Sequence, residues 1–230
     1  MITAKAIEKS VETSEGPLCI LKGIELEIKD GESVAIVGSS GSGKSTLLGL
    51  LAGLDTPSSG TIELGHYLIT SLNEDERAQV RAELVGFVFQ TFQLLPSLTA
   101  LENVMLPAEL AGADDARGLA EKYLQRVGLG HRFTHYPRQL SGGEQQRVAI
   151  ARAFVSQPKI LFADEPTGNL DTSTGTKVID LLFDLNREEG ATLVLVTHEE
   201  RLAERCQRRI TLDAGELVSD QLLPVSTGDA

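Results

Sequence analysis

A chain of 230 residues, 41% of them hydrophobic, is long enough for one packed domain or for one domain with a sub-lobe. Acidic residues outnumber basic ones, 33 to 21, and the net charge of -12 argues against a nucleic-acid footprint and against purely electrostatic docking on anionic lipid. No apolar run approaches the ~18 residues of a membrane span, residues 1–8 hold no apolar core of a secretory signal, and Cys19 and Cys206, far apart in sequence, are expected to be buried, reduced thiols.

Residues 1–35 read as strands, with 18–21 one of them and Ile24-Glu25-Leu26-Glu27-Ile28 alternating as a half-buried strand does. Lys29-Asp30-Gly31-Glu32 is a turn, and Ser33 to Val37 is an apolar strand. A helix follows to about Ala52 and stops at Gly53, and a strand begins at Thr61 after the Pro57-Ser58-Ser59-Gly60 turn. Residues 74–84 have helical spacing, and 85–89 form a buried strand ending at Gln90. Loop 91–99 leads into helical patterns over 101–110 and 116–127, then into a helix opened by residues 139–144 and running to Phe154. The last third alternates: strand 159–163, helix 176–186, strand 191–196, helix 199–206, and a hairpin turn over 213–216. Strands alternating with helices predict an α/β fold with a parallel sheet. The strandless block 92–152 reads as an inserted helical subdomain, which leaves about 1–91 and 153–223 as the core and 224–230 as a frayed tail.

The stretch Gly38-Ser39-Ser40-Gly41-Ser42-Gly43-Lys44-Ser45-Thr46 lies between the strand ending at Val37 and a helix. This is the context that a Gly-x-x-x-x-Gly-Lys-Ser phosphate loop requires. Glycines let the backbone approach phosphate closely, successive N–H groups point inward, and the helix N-terminus adds positive dipole. Lys44 would reach the β- and γ-phosphates, and the Ser45 hydroxyl would bind Mg²⁺. Asp164-Glu165 follow a buried strand at the end where open α/β sheets bind ligands. With a phosphate loop in the same chain, Asp164 suits Mg²⁺ through a water and Glu165 suits polarising an attacking water; alone, the pair would read as a helix cap or a solvated turn. Ser141-Gly142-Gly143-Glu144 opens a helix, either as an ordinary N-cap whose capping box Glu144 completes or as a second anion-binding terminus. Two half-sites in one chain suggest a dimer that traps nucleotide between subunits.

Taken together and in order, Gly38 to Thr46, Gln90, Leu140 to Gln146, Ile160 to Pro166, Leu170-Asp171 and His198 resemble the ATP-binding subunit of an ABC transporter over nearly the whole chain. The stretches 87–96, 101–104 and 166–171 resemble its lipoprotein-release and macrolide-exporter branch, and Lys9-Ser10-Val11 and the short tail resemble the YbbA-type member of that branch. The resemblance implies a P-loop NTPase with a RecA-like core, an N-terminal antiparallel β subdomain and the inserted helical subdomain. It implies an ATPase that uses ATP and Mg²⁺. By resemblance, Gln90 senses Mg²⁺ and the γ-phosphate, and Ser141, Gly142, Gly143 and Glu144 form the trans site on the opposite subunit's nucleotide. Asp171 crosses the dimer seam, and His198 touches the γ-phosphate. His66, His131 and His135 match nothing in the family's motifs.

The implied partners are a second copy of the chain and an FtsX-like membrane permease, whose coupling helix the groove near Phe92 to Glu102 would receive. The implied place is the cytosol, peripheral on the inner membrane through that permease, with no nucleic acid bound. One departure from the family is that no aromatic residue precedes Tyr67, so the adenine-stacking position falls near Ser10 and Val11. Weaker adenine selectivity, or an apolar contact from Val11, is expected. The rival readings are a soluble ABC ATPase acting in repair, translation or cluster assembly, and a P-loop kinase or GTPase. The chain has neither a long coiled coil nor a second cassette, and it lacks the guanine-recognition motif Asn-Lys-x-Asp.

Overall fold

The computed structural model of the protein describes residues 2–14 and 16–224. In chain order its elements are β1 (Ile2–Thr13), β2 (Gly16–Ile28), β3 (Ser33–Val37), α1 (Lys44–Leu51), β4 (Ser59–Leu64), β5 (Tyr67–Leu68), α2 (Glu74–Leu84), β6 (Val85–Phe89), α3 (Ala100–Leu110), α4 (Ala116–Arg126), α5 (Gly142–Phe154), β7 (Ile160–Asp164), α6 (Thr172–Glu189), β8 (Thr192–Val196), α7 (Glu200–Ala203), β9 (Arg208–Asp213) and β10 (Glu216–Leu222). They group into two compact units, residues 1–81 with 192–230, and residues 82–191. The expected tail falls largely on residues 225–230, outside the described residues.

The first unit holds an antiparallel sheet in the order β2-β1-β4-β5 and a run of strands β10-β9-β3-β8. Alternation decides the first sheet: Ile2, Ala4 and Ile7 of β1 and Leu21, Ile24, Leu26 and Ile28 of β2 are buried while their neighbours are not. Ala6 takes a left-handed φ of 48° and breaks the pairing of β1 with β2 between Ala4 and Ile7. Gly60 lies against this bulge, where a Cβ would overlap the Ala6 carbonyl oxygen. In the second run β3 pairs in parallel with both β8 and β9. Val34, Ala35 and Ile36 of β3 and all of β8 are buried, the continuous apolar signature of a strand covered on both faces. Buried Leu47, Leu48, Leu50 and Leu51 line α1.

The second unit pairs β6 with β7 in parallel, from Val85 opposite Ile160 to Phe89 opposite Asp164, and packs α3, α4, α5 and α6 with them. Tyr123, on α4, is fully buried and donates its hydroxyl to Glu189 Oε1 at 3.0 Å. The Arg126 guanidinium lies 5.1 Å over the Tyr123 ring and bonds Glu188 and Glu189. Burial, then the bond to Glu189, pushes the Tyr123 phenol up to about 12. This cluster pins α4 to the end of α6.

The loop before α3 is held by a buried amide. Asn103, 1% exposed, donates Nδ2 to the carbonyls of Leu95, Leu98 and Thr99 at 3.1, 3.0 and 2.9 Å and accepts from Leu95 N–H at 2.8 Å. Thr99 and Glu102 close a capping box over the same turn. Asn103→Ala strips these partners together and is expected to cost about 3 kcal/mol of stability in urea unfolding, because several net bonds and a desolvated carbonyl are lost at once; a loss under about 1 kcal/mol would show that the loop does not depend on it.

Three sequence expectations change. Cys19 is exposed, and of the two free thiols only Cys206 is buried; Cys19 stands on the half of β2 that pairs with the exposed end of β1. The helix expected over 176–186 runs from Thr172 to Glu189, because Asp171 caps it four residues earlier. The helix expected over 199–206 shrinks to Glu200–Ala203: apart from buried Leu202, Ala203 and Cys206, the segment is too charged to bury a longer stripe.

Candidate functional site

In the first unit, β3 and β8 lie side by side and parallel, Ile36 opposite Val196. The loop of residues 38–43 leaves β3, and His198 leaves β8, from the same carboxyl edge, the edge at which open α/β sheets hold ligands. The loop folds as its glycines dictate. Gly38, Gly41 and Gly43 have φ of 152°, 78° and 99°, and a Cβ on Gly38 would overlap the Leu212 carbonyl oxygen of β9. Gly43 is the N-cap of α1 in left-handed backbone, with no side-chain cap and no acidic residue in the first turn. The helix therefore opens without a side-chain cap from Gly43, and an uncapped helix N-terminus is a ready anion site.

Lys44, 8% exposed, curls back so that Nζ donates to the carbonyls of Gly38 at 3.0 Å and Ser39 at 2.8 Å. Among the described residues the acceptors that hold this nearly buried charge are neutral carbonyls, and a phosphate would be the stronger partner. Ser39 and Ser40 are exposed, and the Ser42 hydroxyl is buried without a hydrogen-bond partner among the described residues. Ser45 and Thr46 fall in the first turn of α1. His198 is exposed. Its backbone is fixed by Thr197, whose N–H donates to Ile36 O at 3.2 Å and whose hydroxyl accepts from Glu199 N–H at 3.0 Å. Val11, 36% exposed on β1, stands opposite exposed Leu18 in the hairpin.

In the second unit the same logic recurs on β6 and β7. Gln90 follows Phe89, and Phe89 is in register with Asp164, so Gln90 and Glu165 leave neighbouring strands at one edge. Glu165 takes a left-handed φ of 45°, a strained position for a residue with a side chain, and its carbonyl accepts from Gly168 N–H at 3.0 Å. The chain then returns to Gln90. Asn169 Nδ2 donates to Gln90 O at 2.9 Å, Gln90 Nε2 donates to Asn169 Oδ1 at 3.4 Å, and a Cβ on Gly168 would sit 2.6 Å from Gln90 Nε2. Asn169 is thus a positioning partner of Gln90. Its only sequence signal was membership of the 166–171 stretch. Beyond Gln90, Phe92 and Gln93 have φ of 59° and 48°, and Arg152 of α5 donates to both of their carbonyls, at 2.9 and 2.6 Å. Burial lowers the Arg152 pKa.

Ser141 caps α5 with a complete capping box. Its hydroxyl accepts from Glu144 N–H at 3.3 Å, and Glu144 Oε2 accepts from Ser141 N–H at 2.8 Å. Arg132 Nε donates to the other Glu144 oxygen at 3.0 Å. The Ser141 N–H bond first, with Arg132 adding to it against burial, holds the Glu144 carboxyl below the usual range. Gly142 and Gly143 pack against the segment that opens α6: a Cβ on Gly142 would lie 3.3 Å from Leu170 Cδ2, and one on Gly143 would overlap Thr174 Cγ2. Asp171 caps α6 through Ser173 and Thr174 N–H, both at 3.1 Å. Bonds from Thr174 and then Ser173 hold its carboxyl well below the usual range. The turns at Ser141 and Asp171 therefore form one packed surface within this unit.

Residues 21–168 match the family model described as ABC transporter. The chain is 57% identical to the ABC transporter ATP-binding protein YbbA of Escherichia coli K12 over 92% of this chain and 93% of that one. It is 51% identical to the lipoprotein-releasing system ATP-binding protein LolD of Legionella pneumophila strain Lens, over 94% and 96%. The dimeric ATP-binding cassette MJ0796, in a post-hydrolysis state bound to ADP and Pi, superposes with a TM-score of 0.90 at 42% identity, covering 97% of this chain and 99% of that one. The chain belongs to the ABC transporter family, as one of its ATP-binding cassettes.

Proposed function

We propose that this cassette works as a homodimer that closes on two Mg-ATP, hydrolyses them, and drives an FtsX-like permease to which it is bound at the cytoplasmic face of the inner membrane. The observation that carries the reading is the uncapped start of α1 behind left-handed Gly43, with the Lys44 ammonium turned back onto the loop carbonyls of Gly38 and Ser39. The dimeric form of MJ0796 and the lipoprotein-releasing system named for the Legionella relative support it. The helical subdomain over 92–152, inserted between core segments 1–91 and 153–223, belongs to the same reading. The groove near Phe92 to Glu102, part of which Asn103 braces through Leu95, Leu98 and Thr99, is the surface assigned to the permease coupling helix.

The roles follow residue by residue. Amides of Gly38 to Thr46 and Lys44 hold phosphate. Oxygen donors suit a hard cation, so Ser45, Gln90 and Asp164 are assigned to Mg²⁺. Among the described residues no group of three or more His, Cys, Asp or Glu could hold a metal by itself. Mg²⁺ supplies charge neutralisation on the phosphate oxygens. Glu165 orients and deprotonates water, and His198 contacts the γ-phosphate. Ser141, Gly142 and Gly143 grip the nucleotide of the partner subunit, Glu144 braces that turn, and Asp171 faces the seam. Among the described residues no helix is long and apolar enough to cross a membrane, so the membrane connection runs through the permease.

The test is the ATPase rate against protein concentration, together with detergent capture of a four-span permease. A rate rising more than linearly with such a partner bound is expected; a linear rate with no membrane partner would replace this reading with a soluble ABC ATPase. The missing aromatic gives a second expectation. Val11→Tyr adds base stacking and tightens ATP binding about two- to tenfold in equilibrium titration, whereas unchanged affinity would place adenine elsewhere than at Val11.

A further inference from the structure

His135, which matches none of the family's motifs, belongs to a turn that touches two helices. The main chain of the turn serves α3: Ala100 N–H donates to His135 O at 2.8 Å, and Leu101 N–H donates to Phe133 O at 3.0 Å. These are the first two N–H groups of α3, for which a helix holds no acceptor of its own. Within the turn, His135 N–H donates to Arg132 O at 3.0 Å, and Arg132 N–H donates to Leu129 O at 2.9 Å. Residues 132–135 are thus a braced base for the side chains they carry.

Two of those side chains lead to α5. Arg132 Nη1 lies 3.0 Å from His135 Nε2, and Arg132 Nε donates to Glu144 Oε1 at 3.0 Å. A guanidinium can only donate, so Nε2 is the acceptor and the ring carries its proton on Nδ1. Nδ1 is buried with no hydrogen-bond partner among the described residues. An apolar ring would fill the place without that unpaired donor, so what the imidazole contributes is the acceptor at Nε2. The Arg132 side chain is 34% exposed. A long side chain in that setting gains little from one ion pair, because ordering it costs rotamer entropy. A second acceptor on the same planar guanidinium fixes the plane and with it the direction of Nε–H. The other Glu144 oxygen accepts from Ser141 N–H at 2.8 Å, and the Ser141 hydroxyl accepts from Glu144 N–H at 3.3 Å. Every step from His135 to Ser141 is a hydrogen bond.

We propose that His135 is a positioning residue for the trans grip: by accepting from Arg132 it aims that guanidinium at Glu144 and so holds the Ser141 turn in the form that receives the partner subunit's nucleotide. Without the acceptor, Arg132 is free to swing into solvent and Glu144 keeps only its bonds to Ser141. The turn must then be ordered as the dimer closes. The cost falls on closure and on the hydrolysis that follows it, and leaves the first binding of ATP to the phosphate loop of one subunit unchanged. This inference rests on the reading that Ser141 to Gly143 grip the partner subunit's nucleotide.

The experiment compares wild type, His135→Leu, His135→Gln and Ser141→Ala for kcat and for ATP affinity in equilibrium titration. ATP-driven dimerisation of each is measured in a Glu165→Gln background by gel filtration. Leu and Gln are alike in size, but only Gln can place an oxygen acceptor where Nε2 stands. His135→Leu is expected to bind ATP within twofold of wild type, while its kcat falls at least fivefold and its dimer weakens at least fivefold. His135→Gln should restore both to within twofold of wild type, a rescue that a packing role for the ring would not give. Normal kcat and dimerisation in His135→Leu, with Ser141→Ala defective in both, overturns the role of His135 alone. Equal defects in His135→Leu and His135→Gln overturn it too, since the ring's shape and not its acceptor would then matter. Normal behaviour of Ser141→Ala overturns the grip reading and this inference with it. Should His135→Leu not fold, Arg132→Met removes the same link at a partly exposed side chain: a dimer weakened at least fivefold supports the proposal, and an unchanged dimer overturns it.

Discussion

Glu165→Gln is expected to lower ATP turnover by about 10²- to 10⁴-fold, the range for losing a positioned general base, while ATP binding stays within a few-fold of wild type. The substitution keeps size and hydrogen-bonding capacity and removes only the ability to take a proton. Its effect therefore falls on the attack of water and leaves the grip on phosphate in place. The backbone gives a reason to expect that the carboxylate is aimed. Glu165 holds a left-handed φ of 45° directly after β7, and Gly168 N–H fixes its carbonyl. Such strain persists where the surrounding structure over-determines it and is concentrated at functional positions. With hydrolysis blocked, ATP should remain bound and the dimer should accumulate on gel filtration, whereas ADP should leave the chain monomeric. Turnover in Glu165→Gln within threefold of wild type would remove Glu165 from catalysis.

The parts of this molecule that could be read from sequence are those in which side-chain pattern and backbone agree. Val85 to Phe89 and Thr192 to Val196 are short apolar runs, and they form the strands expected of them. The path of the loop after β3 was legible because every left-handed position in it is a glycine: Gly38, Gly41 and Gly43. The left-handed backbone at Phe92, Gln93 and Glu165 was not legible, since those residue types carry no mark of it and tertiary bonds from Arg152 and Gly168 hold the conformation. The start of α6 was missed because its first turn is rich in Thr and Ser, weak helix formers, and only the Asp171 cap shows that the helix begins there. Asn103 and Gln146 stood inside the stretches 101–104 and Leu140 to Gln146 with no role of their own; burial, which composition cannot show, makes the first a brace and leaves the carboxamide of the second without a hydrogen-bond partner among the described residues.

Gly38→Ala and Gly41→Ala, three residues apart in one loop, are expected to part company. Both positions have positive φ, 152° and 78°, and left-handed backbone alone costs a residue with a Cβ about 1–2 kcal/mol. Surroundings decide the rest. A Cβ on Gly41 meets nothing within 4 Å, whereas one on Gly38 would overlap the Leu212 carbonyl oxygen and stand 2.8 Å from Ser42 Oγ. No rotamer change relieves a clash between Cβ and main chain. Either β9 moves, or the loop abandons the path that brings its N–H groups together. Leu212 lies on the strand paired in parallel with β3, so moving β9 disturbs the sheet that carries the loop. Gly38→Ala should therefore lose about 3 kcal/mol or more of stability in urea unfolding and should lose ATP binding in titration. Gly41→Ala should lose only the backbone term and keep a measurable affinity. Equal stability losses in the two variants would show that φ alone governs the loop and that the approach of Gly38 to β9 has no energetic weight.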